Sequence, residues 1–365
     1  MNPVFNTLNQ LTNSNNFSNI PNQEFNLSAN DFYDNKLSLT LPLVDAEIFL
    51  NNKIKKEAIN QRQAEVLVYK RGLVRDIKVA YYNIAMVQSQ IEIFKNAGKL
   101  LEDNYILTAS RVKNGKLLQG NALRIKSDIN DNNAKLAEAQ NNLKTAFAYL
   151  NFLVNKSLTE TVAIDTTGFR QASTIRLEQA NLTSEREELI ALESSIKQSG
   201  YTIDLKRAAY LPVITTFLNG GYQSTYLKFD TESRYLLGGF SLKWNLFQGF
   251  QNKNKIAIAR TDMLSLHTQL DENRKQFEYQ RIDSENDLSS AESQLKSSSE
   301  NLLFLEEYYR ETKARYDQGM VLLIELNDAF TQLINGRLKH EQSNTTVLIK
   351  KAELERNTAS YTFNQ

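Results

Sequence analysis

The chain has 365 residues, a formal net charge of +1 and no cysteine. That excludes disulfides, thiolate metal sites and a cysteine nucleophile, and it provides no strongly basic field for nucleic acid. No apolar run reaches the 18 or more residues that a membrane-spanning helix needs, and the four prolines leave residues 43–211 and 213–365 free of helix breakers.

Residues 1–35 are rich in Asn, Ser and Gln. They lack the basic and apolar regions of a signal peptide, and a strand is expected near residues 4–8. Residues 35–44 alternate, with Leu37, Leu39, Leu41 and Leu43 on one face and Lys36, Ser38, Thr40 and Pro42 on the other. Such alternation predicts a strand between two different environments. Residues 48–113 are helical in pattern. Ile84, Ile91, Gly98, Tyr105 and Val112 recur every seven residues, with Val87, Phe94, Leu101 and Thr108 between them, a coiled-coil seam. Such a helix would extend roughly 100 Å at 1.5 Å per residue. Asn114-Gly115 ends it, and a shorter antiparallel helix follows, completing a helical hairpin over 48–154.

Residues 155–183 form a Thr- and Ser-containing linker, and 184–209 are helical up to Tyr210-Leu211-Pro212. Strands are predicted at 213–224 and 236–247. In the second, Leu236, Gly238, Phe240, Leu242, Trp244 and Leu246 oppose Leu237, Gly239, Ser241, Lys243, Asn245 and Phe247. A second helical hairpin covers 252–357. Its seam runs through Leu288, Leu295, Leu302, Tyr309 and Tyr316, and Gly319 marks its turn.

The two halves repeat. Arg111–Gly115 falls on Arg315–Gly319 at a shift of 204 residues, which also carries Ile84 onto Leu288, Leu101 onto Leu305 and Tyr105 onto Tyr309. A shift of 203 carries Leu37, Leu39, Leu41 and Leu43 onto Phe240, Leu242, Trp244 and Leu246. A shared strand, seam and turn in one order is the mark of duplication. The domain layout is then a first repeat at 1–154, a linker at 155–183 and a second repeat at 184–365, with four strands per chain. Four strands cannot close a barrel, and their apolar faces would stand in water. Strands pooled from several chains in a membrane resolve both problems. The competing reading is a soluble coiled-coil scaffold whose strands pack under helices.

At this point the residues resemble a known family, the outer-membrane efflux proteins of the TolC type. Tyr210-Leu211-Pro212 at the helix-to-strand junction carries the likeness, as do LKWNLFQG (242–249), RYDQG followed by IELNDA (315–319 and 324–329), and RVKNG followed by NALRIKSD in the first half. The resemblance implies an α+β membrane protein. A homotrimer would build a twelve-stranded outer-membrane β-barrel over a periplasmic α-barrel of long helices, serving as the exit duct of a tripartite efflux pump or type I secretion system. Its partners would be a periplasmic adaptor, an inner-membrane pump and outer-membrane lipid, with no nucleic acid. It also implies a helix ahead of the first barrel hairpin. Met1 falls where the first barrel strand begins, so an N-terminally truncated chain is expected.

The resemblance gives roles to particular residues. Leu37, Leu39, Leu41, Leu43, Phe240, Leu242, Trp244 and Leu246 would face lipid. Arg111, Gly115, Arg315 and Gly319 would mark the adaptor-docking tips. Tyr316 matches a latch tyrosine, whereas the matching latch arginine and its acidic partner are Val321 and Asn121. Glu325 and Asp328 match acidic aperture positions, and their spacing of three puts them on one helix face. In a trimer they would form stacked carboxylate rings that favour cations. From spacing alone they are equally first-turn acids favoured by the helix dipole. His267 and His340 stand apart on helices, and no GxSxG, P-loop, HExxH or GxGxxG motif occurs. No catalysis, cofactor or metal is therefore expected.

Overall fold

The computed structural model describes residues 2–21, 32–160, 162, 186–227, 229–361 and 363. Its elements are α1 (Asn2–Thr12), β1 (Tyr33–Val44), α2 (Ala46–Lys113), α3 (Gln119–Leu153), α4 (Glu187–Ala208), β2 (Val213–Ser224), β3 (Arg234–Lys243), α5 (Gln251–Asp317) and α6 (Leu323–Thr358). The linker expected at 155–183 lies outside the described residues apart from 155–160 and 162. Two compact units cut across the sequence repeats: Met1–Asn51 with Ile203–Ile256, and Asn52–Thr202 with Ala257–Gln365. Among the described residues no helix is long and apolar enough to cross a membrane.

The first unit holds one antiparallel sheet in the order β1-β2-β3. Leu39 pairs with Leu218 and Leu41 with Thr216, while Leu218 pairs with Gly238 and Thr216 with Phe240. Directly paired residues share a face. The register therefore puts Leu37, Leu39 and Leu41 on the same side as Leu218, Leu236, Phe240 and Leu242. Lys36, Ser38, Thr40, Thr215, Asn219, Ser241 and Lys243 take the other. The apolar side is open: Leu37 is 82% exposed and Phe240 77%. Nothing among the described residues pairs with the outer edges of β1 and β3.

Two strand expectations are corrected here. Residues 4–8 lie in helix α1, so the described residues hold three strands rather than four. Val4, Leu8 and Leu11 fit a helical stripe, and Pro3 at the second residue suits a helix start. Asn9 donates to the Phe17 carbonyl at 2.7 Å and accepts from its N–H at 3.0 Å. Asn2 does the same with Ile20 at 2.8 and 2.9 Å. These side-chain bonds fold 13–20 back onto the helix. The second correction is that β3 ends at Lys243, so Trp244 and Leu246 lie beyond the strand. The Trp244 indole N–H donates to the Tyr210 carbonyl at 3.0 Å.

In the second unit α2, α3, α5 and α6 share one core, built on Val87, Ile91, Phe94 and Leu101 from α2 and Leu305, Tyr309 and Tyr316 from α5. Along α2 the buried line passes from Ile91 and Phe94 to Ala97, Leu101, Asn104 and Thr108. Phe94, Leu101 and Thr108 keep their expected positions, while Ala97 and Asn104 are buried in place of the expected Gly98 and Tyr105. Glycine changes sides between the repeats. Gly98 on α2 faces Asn132 on α3, whose side chain donates to the Phe94 carbonyl at 3.0 Å. At the 204 shift these become Leu302 and Gly336. A Cβ on Gly336 would stand 2.5 Å from Leu305 Cδ1 and 3.9 Å from Leu302 Cδ1. Gly336→Val should therefore overpack the α5–α6 seam and cost about 1–3 kcal/mol. Thermal unfolding checks this, and an unchanged midpoint would show that the seam has room.

A charged node joins α2, α4 and α6. Arg71, 5% exposed, is bidentate to Glu187 and donates to the Tyr361 carbonyl at 2.9 Å. Its guanidinium lies over the Tyr361 and Phe363 rings at 4.6 and 5.2 Å. Arg186 binds Glu188 at 2.7 Å and stacks on Phe277 at 3.7 Å, and Arg356 reaches Glu188 at 3.2 Å. Burial pushes the Glu188 carboxyl up, but hydrogen bonds from Arg186 and the backbone, with the charges of Arg186 and Arg356, outweigh it and hold it below the ordinary carboxylate value.

Candidate functional site

Both helical hairpins turn in the same way. The N–H of Gly115 bonds the Val112 carbonyl at 3.0 Å, and that of Lys116 bonds the Arg111 carbonyl at 2.9 Å. Gly319 to Tyr316 and Met320 to Arg315 repeat the pair at 3.0 and 2.9 Å. This is the Schellman arrangement, with its left-handed residue supplied by Gly115 at φ 69° and Gly319 at φ 76°. A side chain at either position would meet no neighbour, so the demand for glycine is conformational.

After each turn the next helix starts on a leucine, Leu118 for α3 and Leu322 for α6, and neither caps its helix with a side chain. Leucine is among the poorest N-cap residues because it offers no oxygen to the first N–H groups. Glu325, the third residue of α6, supplies half a capping box by accepting from the Leu322 N–H at 3.2 Å. Asn121 is its counterpart in α3, half-buried and donating its N–H to the Leu118 carbonyl at 3.0 Å. Leu118, Met320, Leu322 and Ile324 are all exposed, so each tip carries an apolar cap.

Tyr316 is 3% exposed. Its hydroxyl lies 3.5 Å from Thr108 Oγ1, and the Arg111 guanidinium stacks 4.8 Å from its ring centroid. Arg111 also donates to the Tyr316 and Asp317 carbonyls at 3.4 and 3.3 Å, at the α5 C-terminus where a cation is favoured. The end of α2 is thereby tied to the end of α5. Arg315, its repeat equivalent, is exposed. The repeat made these two arginines alike. They differ because position 316 is a tyrosine and its counterpart 112 is a valine.

Glu325 and Asp328 are exposed on one face of α6, and Asp328 accepts from Gln332 at 2.7 Å. Val321 is half-buried against the core below the turn. Sequence reading missed the Arg111–Tyr316 stack. It also missed Asp128, which accepts from Asn327 at 3.3 Å and lies 3.5 Å from Arg124. Neither link leaves a local signal, since the partners are about 200 residues apart.

The comparisons agree with this geometry. Residues 180–360 match the family model described as outer membrane efflux protein. That match spans just under half of the chain. No curated protein matches it. Solved structures do. The open-state outer membrane channel MtrE of Neisseria gonorrhoeae is 14% identical, covers 98% of this chain and 84% of its own, and superposes with a TM-score of 0.76. The CmeC outer membrane channel of Campylobacter jejuni is 11% identical, with coverages of 90% and 71% and a TM-score of 0.76. VceC, an outer membrane protein of Vibrio cholerae, is 14% identical, with coverages of 90% and 87% and a TM-score of 0.71. These likenesses establish the fold.

Proposed function

We propose that three copies of this chain form a passive exit duct. Each copy contributes β1, β2 and β3 to a shared outer-membrane barrel, and α2 to α6 extend into the periplasm as the tunnel. A periplasmic adaptor and an inner-membrane pump complete the path and supply its energy. The carrying observation is the open apolar side of the sheet. A soluble scaffold would bury Leu37, Leu39, Leu41, Leu43, Phe240 and Leu242 under helices, yet all are exposed on strands whose edges have no partner among the described residues. Lipid and neighbouring copies supply what both lack. Trp244 and Leu246 belong to the same lipid-facing region, as a margin beyond β3.

The adaptor docks on the two tips. Arg111, Gly115, Arg315 and Gly319 shape the turns, and Leu118, Met320 and Leu322 provide the contact. A leucine at both N-caps gives up local helix stability, which is reasonable where a partner covers it. Tyr316, held by Arg111, keeps α5 against α2 at the mouth, with Asn121 at the matching start of α3.

Glu325 and Asp328 line the aperture. Exposed carboxylates ringed around a narrow mouth attract cations and repel anions. Glu325→Gln combined with Asp328→Asn should therefore weaken cation preference, read as a shift of reversal potential toward zero under a salt gradient in planar bilayers. Unchanged selectivity would remove both residues from the aperture.

A further inference from the structure

The basal end of the sheet, where β2 starts and β3 stops, carries an aromatic and basic collar. Phe49, Trp244, Phe247 and Phe250 lie within a few residues of that end and are between 55% and 74% exposed. Phe250 holds φ at 63°, outside the usual range for an aromatic residue, and its ring packs edge-on against Phe247 at 5.6 Å. Trp244 is fixed by its bond to the Tyr210 carbonyl.

Cations follow the rings directly. Lys206 and Arg207 close α4, and Lys253 and Lys255 open α5, while Lys243 at the end of β3 lies on the polar side of the sheet. The acids at this end are Asp45, Glu47 and Asp204. Asp45 accepts from the Glu47 N–H at 2.8 Å, and Asp204 pairs with Arg207 at 3.0 Å. Lys253 and Lys255 are exposed, and the first turn of α5 contains no acid. Lysine at a helix N-terminus opposes the macrodipole, so these two are placed against local helix preference. Rings that seek a water–lipid boundary, with long cations just outside it, match the headgroup layer of a bilayer.

We propose that this collar binds anionic phospholipid headgroups of the leaflet at the basal end of the sheet, with Lys253 and Lys255 as the principal contacts. The proposal rests on the membrane reading above and adds a lipid specificity to it. Attraction of a basic surface segment to anionic lipid corresponds to about fivefold in affinity per cation at low salt, and it weakens as salt screens it.

The chain has one tryptophan, Trp244, so its fluorescence reports on the collar alone. The full chain is reconstituted into phosphatidylcholine vesicles containing either brominated phosphatidylcholine or brominated phosphatidylglycerol. The expected result is stronger quenching by the brominated phosphatidylglycerol, a preference that falls with added sodium chloride and is lost in Lys253→Gln/Lys255→Gln. Equal quenching by the two lipids overturns the lipid specificity and leaves the channel reading intact. A preference that survives both high salt and the double substitution also overturns it. Quenching by neither lipid overturns the membrane placement of the collar, and the proposal with it. If the double variant does not insert, the salt titration of the unsubstituted protein decides.

Discussion

Arg71→Ala is expected to destabilise the helical unit by about 3–5 kcal/mol, the cost of removing one partner from a buried ion pair. Glu187 would be left desolvated, with no guanidinium to replace the two hydrogen bonds it loses. The Tyr361 carbonyl would lose its donor, and the Tyr361 and Phe363 rings their cation. Denaturant unfolding measures the effect. The control is Arg71→Met with Glu187→Leu, which removes both charges and keeps the volume. It should recover most of the loss, because an apolar pair of similar size often matches a buried ion pair in stability. Equal losses in the two variants would mean that packing rather than charge holds the node together.

The same node gives a pH dependence. Glu188 has a folded pKa below its unfolded value. Its contribution is therefore fully present above the unfolded carboxylate value of about 4.3, and it is lost as pH falls through the depressed folded value. Glu188→Gln should flatten the acid limb of the stability profile and lower the neutral plateau without changing its slope, as denaturant unfolding across pH would read.

Tyr316→Ala is the second large effect expected. Removing a nearly buried aromatic ring from a packed seam costs about 3–5 kcal/mol. Here it also frees the Arg111 guanidinium that ties α2 to α5. Conductance in planar bilayers should rise as the tips loosen. Tyr316→Phe separates ring from hydroxyl. The bond to Thr108 is long at 3.5 Å, so its loss should cost under about 1 kcal/mol, and conductance should stay near that of the parent protein. Arg111→Ala should fall between, since a cation–π contact contributes about 0.5–2 kcal/mol. If Phe and Ala behaved alike, the hydroxyl would be the latch.

The tips show how far local pattern reaches. The Gly115 and Gly319 stops, the seams through Val87, Phe94, Leu101 and Leu305, and the shared face of Glu325 and Asp328 all follow from spacing of seven residues or fewer. The duplication then predicted two equivalent arginines. The fold turned Arg111 onto Tyr316 and left Arg315 exposed, because one side-chain difference decided whether a ring was there to stack on. Likewise Gly98 and Gly336 carry no mark in the sequence of which neighbour they accommodate.

The sequence by itself determined the long helices, their glycine turns, the alternating faces of β1 and β3 and the repeat that relates the two halves. These depend on periodicities of 2 and 3.6 residues, which a chain displays before it folds. Only the tertiary structure decided the rest. The register through β2 put both apolar faces on one side of the sheet. Asparagine side chains of α1 bonded to residues 17 and 20, and a helix stands where a strand was expected. Arg71 met Glu187 across 116 residues, and Arg111 met Tyr316 across 205. Each of those outcomes is a contact between distant segments, and no local periodicity encodes which segments will meet.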